Sequence, residues 1–135
     1  MRVLVVDDDP DLGLLVELFL RRAGHEVVLA ADGVLALGLL AQCRVDARPI
    51  EVVVLDQMMP RLDGVGLTRA IRADPATTEL PLLMMSAHHE PEAALEAGVD
   101  GFVGKPFTSA GLLAALETVV AGRQRDQRAA RVQPA

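Results

Sequence analysis

Five short apolar runs alternate with five stretches of helical period along this chain of 135 residues, and that alternation leaves few architectures open to it. Arg2–Val6 is a short continuous apolar run, as a strand covered on both faces requires. From Asp11 the pattern LGLLVELFLRRAG turns helical, with Leu12, Leu15, Val16 and Phe19 on one stripe and Gly24 as a stop signal. His25–Ala30 is strand-like, Val34–Arg44 is helical after Asp32-Gly33, and Ile50–Leu55 is β-rich and ends at Asp56. Leu67–Ala73 is helical and closed by Asp74-Pro75, Pro81–Met85 is a strand ending at Ser86, and Glu90–Ala97 is a helix that stops at Gly98. Gly101–Val103 reads as a short strand, and Thr108–Ala121 as a final helix with Thr108 at its N-cap. Five βα repeats without a long strandless gap predict an α/β domain: a five-stranded parallel sheet, doubly wound, with helices on both faces. Composition agrees, since 51% of residues are apolar but only 2% aromatic, so the core must be aliphatic.

In an open sheet of this kind, ligands bind where the carboxyl ends of the strands meet at the topological switch point. The residues at those ends are chemically specific. The first strand runs into Asp7-Asp8-Asp9, the third into Asp56, the fourth into Ser86 and the fifth toward Lys105-Pro106. Carboxylates crowded together repel and resist desolvation, so the opening cluster needs solvent, a cation or a helix N-terminus as compensation. Lys105 is the only lysine among thirteen basic residues, which suggests a position that needs a compact ammonium rather than a guanidinium fork. Acids on neighbouring strands form a hard oxygen site suited to a Mg²⁺-sized cation. One carboxylate standing opposite a cation can act as nucleophile toward phosphorus, with metal and lysine stabilising the transferring oxygens. These residues point to phosphoryl transfer onto an aspartate.

The pieces VLVVDDDP, VVVLDQMMPRLDG, LLMMSAH and GVDGFVGKPF, in this order and spacing, resemble the receiver domain of bacterial two-component response regulators. The likeness spans essentially residues 2–121, and four such motifs at these intervals are far more specific than any one alone. The resemblance implies a flavodoxin-like strand order 2-1-3-4-5 and Asp56 as phosphoacceptor. It implies Mg²⁺ (or Mn²⁺) held by Asp8, Asp56 and the Met58 backbone carbonyl, with Asp7 acting through a metal-bound water. Ser86 and Lys105 would contact the phosphoryl group, Lys105-Pro106 would be a cis peptide, and Pro60 and Asp63-Gly64 would shape the following loop. Ser86 and Phe102 would form the switch. Phe102 stands where the family often has Tyr, and it has no hydroxyl to donate in a relay. Met58 and His88 occupy positions that tune hydrolysis of the phosphoryl group in this family. The implied partners are a histidine kinase or a histidine phosphotransfer protein as donor, and a downstream protein, or a second copy in a phosphorylation-dependent homodimer, as reader. The domain would catalyse only its own phosphorylation and dephosphorylation.

Rival readings have their own residues. Asp7-x-Asp9 after an apolar strand resembles the nucleophile motif of haloacid-dehalogenase-type phosphatases, but that leaves Asp56 without a reason. Asp7-x-Asp9-x-Asp11 alternates like a calcium loop, yet the required Gly is Leu12 and the bidentate Glu is Leu18. A receiver that works as a phosphorylation-independent interaction module remains open. Asp9 and Asp11 read most simply as acids favoured at a helix N-terminus, His25 as a solvated turn residue, and His88-His89 as exposed. Cys43, the lone cysteine, reads as a buried helical thiol and leaves no internal disulfide. A net charge of −6 disfavours direct binding to nucleic acid or an anionic membrane. Residues 123–135 carry four arginines against Asp126, a local +3, so residues 1–122 carry −9. We expect residues 1–122 to form the receiver domain and 123–135 an Arg-rich tail, flexible or a linker remnant. The residues after Ala121 are too few for an output module, so the chain reads as a single-domain regulator or a receiver severed at its linker. With no signal peptide and no run near the ~20 residues of a span, it reads as cytoplasmic.

Overall fold

The computed structural model describes residues 1–87 and 92–132. Strands β1 (Arg2–Val6), β2 (Glu26–Ala30), β3 (Val52–Asp56), β4 (Leu82–Ser86) and β5 (Gly101–Gly104) form one parallel sheet in the order β2-β1-β3-β4-β5. Between and after them run α1 (Pro10–Arg22), α2 (Gly33–Val45), α3 (Gly64–Ala73), α4 (Glu92–Ala97) and α5 (Ser109–Val132). The doubly wound α/β architecture predicted from the alternation is the one observed.

Strand register explains the two-sided core. In β1, β3 and β4 successive residues point to opposite faces, and every one but Arg2 and Ser86 is buried. Leu4, Val53, Leu55, Leu82 and Met84 pack with Ala36, Leu40, Leu67, Ile71 and Ala94 of α2, α3 and α4. Val3, Val5, Val52, Val54, Leu83 and Met85 pack on the opposite face with Val16 and Leu20 of α1 and with Leu112, Leu116 and Val119 of α5. Cys43 is buried within α2.

Helix starts follow capping chemistry. Asp9 caps α1, accepting from Asp11 N and Leu12 N with Pro10 in the first turn; Asp32 caps α2 through Leu35 N; Asp63 caps α3 through Gly66 N. Thr108 Oγ1 accepts from Gly111 N at 3.0 Å, the cap expected for α5. Gly24 and Gly98 adopt φ of 92° and 117° after α1 and α4, a backbone region that disfavours any Cβ.

Several boundaries differ from expectation. The buried stripe of α1 is Gly13, Val16 and Leu20, flanked by half-buried Leu12 and Phe19, while Leu15 is exposed. The buried stripe centres on Val16 with Gly13 and Leu20, and at about 3.6 residues per turn Leu15 lies about 100° round the helix from Val16. Asp63 begins α3 at Gly64, three residues before Leu67, because its cap fixes the first turn there. Ile50 is buried but precedes the β3 ladder, which takes in Asp56 as its last residue. His25 is half-buried, its Nδ1 3.1 Å from the amino group of Met1, and burial lowers its pKa. Helix α5 continues past Ala121 to Val132; Arg123 Nε donates to Asp100 Oδ1 at 2.7 Å, and the Gln, Arg and Ala residues beyond are good helix formers.

Candidate functional site

The carboxyl end of β1 places Asp7 at the switch point between β1 and β3. Its backbone N–H donates to Ala30 O at 3.0 Å, tying it to the end of β2, and its Oδ1 accepts from Asp9 N at 2.9 Å. Asp7 is 7% exposed, and its Oδ2 has no hydrogen-bond partner among the described residues. Burial, more than anything else, lifts its carboxyl to about 6, against the pull of the Asp9 N–H; the charges of Asp56 and Asp8 add to the rise and Lys105 opposes it.

Asp56, 6% exposed, ends β3 beside it. One carboxylate oxygen each from Asp7, Asp8 and Asp56 lies within 4.8 Å of the others. Asp56 Oδ1 accepts from Gln57 N at 2.9 Å and lies 3.0 Å from Lys105 Nζ. Lys105 reaches it from the end of β5, where its own N–H donates to Ser86 O at 2.9 Å and the peptide to Pro106 is cis. The backbone must turn tightly after Asp56. A Cβ at Gly64 would come 2.6 Å from Asp56 O and 2.8 Å from Gln57 Cα, so only glycine fits there.

The remaining candidates line the same edge. Ser86, half-buried, is the last residue of β4 and is paired in register with Gly104. Phe102 lies opposite Met84 in the ladder, and its half-buried ring lines a cavity of about 250 Å³ with Gln57, Met58, Val65 and Ser86. The Met58 side chain is 66% exposed. His88 and His89 lie outside the described residues. Asp9 serves as the α1 cap, and Asp11 sits exposed in its first turn. Two arrangements were not read from the sequence: an ion pair between Arg61 and buried Asp32, and a junction of Arg72, Asp100 and Arg123 at the opposite end of the sheet. Their partners lie 23 to 29 positions apart, beyond any local spacing signal.

The oxygen-only donor set, its spacing and the unpartnered Asp7 oxygen fit a divalent cation of the hard, hydrated kind. A (βα)5 domain with an acidic crevice at its switch point, faced by one lysine, is of the doubly wound α/β class that binds its ligands at the carboxyl ends of the strands. The model of the response regulator receiver domain matches residues 3–117, and the chain belongs to that family. It is 40% identical over 130 residues to the response regulator MprA of Mycobacterium sp. (strain KMS), covering 94% of this chain and 54% of that protein. It is 41% identical over 125 residues to the transcriptional regulatory protein PrrA of Mycobacterium tuberculosis, covering 90% of this chain and 51% of that protein. The chain thus spans about half the length of these relatives. Among solved structures, the chemotaxis response regulator CheY4 of Vibrio cholerae superposes with a TM-score of 0.80 at 32% identity, over 87% of this chain and 97% of that one. The receiver domain of the sensor histidine kinase PA1611 of Pseudomonas aeruginosa, described with a magnesium ion in its active-site cleft, superposes at 0.78 with 30% identity, over 89% and 97%. No helix among the described residues is long and apolar enough to cross a membrane.

Proposed function

We propose that this receiver domain accepts a phosphoryl group on Asp56 from a histidine kinase or a histidine phosphotransfer protein. The observation that carries the proposal is the placement of Asp56 Oδ1 3.0 Å from Lys105 Nζ, beside the carboxylates of Asp7 and Asp8. A carboxylate oxygen of Asp56 attacks phosphorus; the P–O bond forms as the donor's P–N bond breaks, and the imidazole leaves with the electron pair and takes up a proton. Lys105 compensates the carboxylate before transfer and a phosphoryl oxygen after it, and Ser86 hydrogen-bonds another. Asp7, Asp8, Asp56 and the Met58 carbonyl would hold Mg²⁺ or Mn²⁺. When bound, the cation neutralises charge that builds up on the phosphoryl oxygens.

Phosphorylation then shifts a two-state equilibrium through Ser86 and Phe102. The cavity beside Phe102 gives that ring room to change rotamer. Residues 1–122 form the signalling unit, and α5 continues from it to Val132, with Arg123 bonded to Asp100. The domain works in the cytoplasm, and its reader is a protein or a second copy of the chain rather than nucleic acid. Incubation with acetyl phosphate and Mg²⁺ should add one phosphoryl group by intact mass, and Asp56→Asn should abolish it. Undiminished labelling of that variant would refute the assignment.

A further inference from the structure

The loop from Gln57 to Asp63 carries the Met58 carbonyl; Met59 and Leu62 pack against the core, and Gln57 Oε1 accepts from Val65 N at 2.9 Å. Within the loop, Leu62 N donates to Pro60 O at 2.8 Å and Gly64 N to Gln57 O at 3.0 Å. Among the described residues, its side-chain ion pair to another element is that of Arg61 with Asp32 at the start of α2. Arg61 adopts φ of 67°, a conformation side-chain-bearing residues rarely take, and its guanidinium is nonetheless committed to this pair. Asp32 is a firm anchor: it is 1% exposed and already fixed as the α2 cap by Leu35 N at 2.9 Å. A second contact runs alongside. A Cβ at Gly33 would come 2.8 Å from Leu62 O, so the loop backbone lies directly on the first turn of α2.

The path from Asp32 leads back to the acids. Two residues earlier in the chain, Ala30 O accepts from the backbone N–H of Asp7. The pair therefore closes a ring: the Asp7 backbone, the end of β2, Asp32, Arg61, the loop, and Asp56. We propose that Arg61, clasping Asp32, is a positioning residue that holds the loop carbonyl at Met58 in register with the carboxylates of Asp7, Asp8 and Asp56 for divalent-cation binding. This rests on the metal site proposed above.

Charge and position predict opposite signs, which makes the proposal testable. A guanidinium near an acidic site repels a cation, so if Arg61 acted only as a charge, Arg61→Ala would tighten Mg²⁺ binding. As a positioning residue, its loss should weaken it. Outer partners of metal ligands typically cost roughly 10–100-fold in affinity when lost, and Arg61, acting through the backbone, belongs at the low end, about tenfold. The experiment is an amide NMR titration of metal-free protein with MgCl₂, following Asp8 and Met58, for wild type, Arg61→Ala, Arg61→Lys, Asp32→Asn and the Arg61→Ala/Asp32→Asn double variant. Asparagine keeps the cap acceptor at position 32 while removing the charge. We expect a weaker affinity in Arg61→Ala, partial recovery in Arg61→Lys, and a double variant no weaker than the worse single one, because the two residues act as a unit. Unchanged or tighter binding in Arg61→Ala, or additive losses in the double variant, would overturn the clasp while leaving the metal site standing. A wild-type protein whose amides do not respond to Mg²⁺ would overturn the metal site, and the clasp with it.

Discussion

Replacing Asp7 with asparagine keeps the shape of the side chain and the acceptor for Asp9 N–H, and removes the charge that burial and two neighbouring carboxylates disfavour. The carboxyl lies at about 6 in the folded protein against an ordinary value of 3.8. The folded state therefore holds a proton more tightly than the unfolded chain. Stability is lost as pH rises from about 4 to about 6, and the full cost is present above that. Two units at 1.36 kcal/mol each put that cost near 3 kcal/mol, of which roughly 2 kcal/mol falls between about pH 4.5 and pH 8.

Asparagine also introduces a buried N–H pair in place of Oδ2, a penalty of about 1–3 kcal/mol if unpaired, but that penalty does not depend on pH. The quantity to measure is therefore the change in the stability difference between variant and wild type, from urea unfolding in chelator at several pH values. The difference should move in favour of Asp7→Asn by about 2 kcal/mol as pH rises from about 4.5 to 8. Mg²⁺ should reverse the trend, stabilising wild type by about 2.7 kcal/mol at a hundred times its Kd while leaving the variant nearly unaffected. A stability difference that stays flat across that pH range would refute the account of Asp7 as a buried carboxylate awaiting a cation.

Lys105→Arg retains the charge but replaces a point ammonium with a bulky planar fork. It should still bind Mg²⁺ and accept phosphate, yet fail to show the amide shifts at Ser86 and Phe102 that beryllofluoride, a phosphoryl mimic, produces in wild type; identical shifts would remove Lys105 from the switch. Arg72→Met should destabilise the fold by about 2–3 kcal/mol by denaturant unfolding, because it leaves the carbonyls of Gly98, Thr78 and Leu80 without its donors while Asp100 keeps Leu82 N and Arg123; a loss under about 1 kcal/mol would show the junction to be dispensable.

The sheet was legible because its signals are local. Val3–Val6, Val52–Leu55 and Leu82–Met85 are apolar on both faces, and only strands covered twice require that. The site was legible for a related reason: once the runs are ordered as parallel strands, chain direction alone sends Asp7, Asp56 and Ser86 to one edge. Leu15 was misplaced because apolar residues lie on both flanks of the α1 stripe: Leu12, Val16 and Phe19 fit a face extended toward Leu15 as well as one extended toward Gly13 and Leu20, and the sheet covers the second. The contacts of His25 with Met1 and of Arg61 with Asp32 had no sequence signal, since each joins residues whose proximity only the finished fold creates. Helix α5 ran past its apolar period because residues 122–132 need no buried stripe to stay helical, and Arg123 finds Asp100 at the first turn beyond.

The two ends of the sheet treat charge in opposite ways. At the amino ends of β4 and β5, Arg72 is largely buried and spends its donors on Gly98 O, Thr78 O, Leu80 O and Asp100. Asp100 in turn accepts from Leu82 N and Arg123. A buried network with its bonds made rigidifies the fold around it. At the carboxyl ends, three acids are gathered, and Asp7, one of the two that are buried, keeps one oxygen without a partner among the described residues. Packing did not force this, because polar groups at strand ends can turn outward to water, as Asp8 does. The Arg72 guanidinium makes four hydrogen bonds at one edge, whereas at the other a buried Asp7 oxygen goes without a partner among the described residues and three acids face one lysine, a balance of charge that a divalent cation would complete.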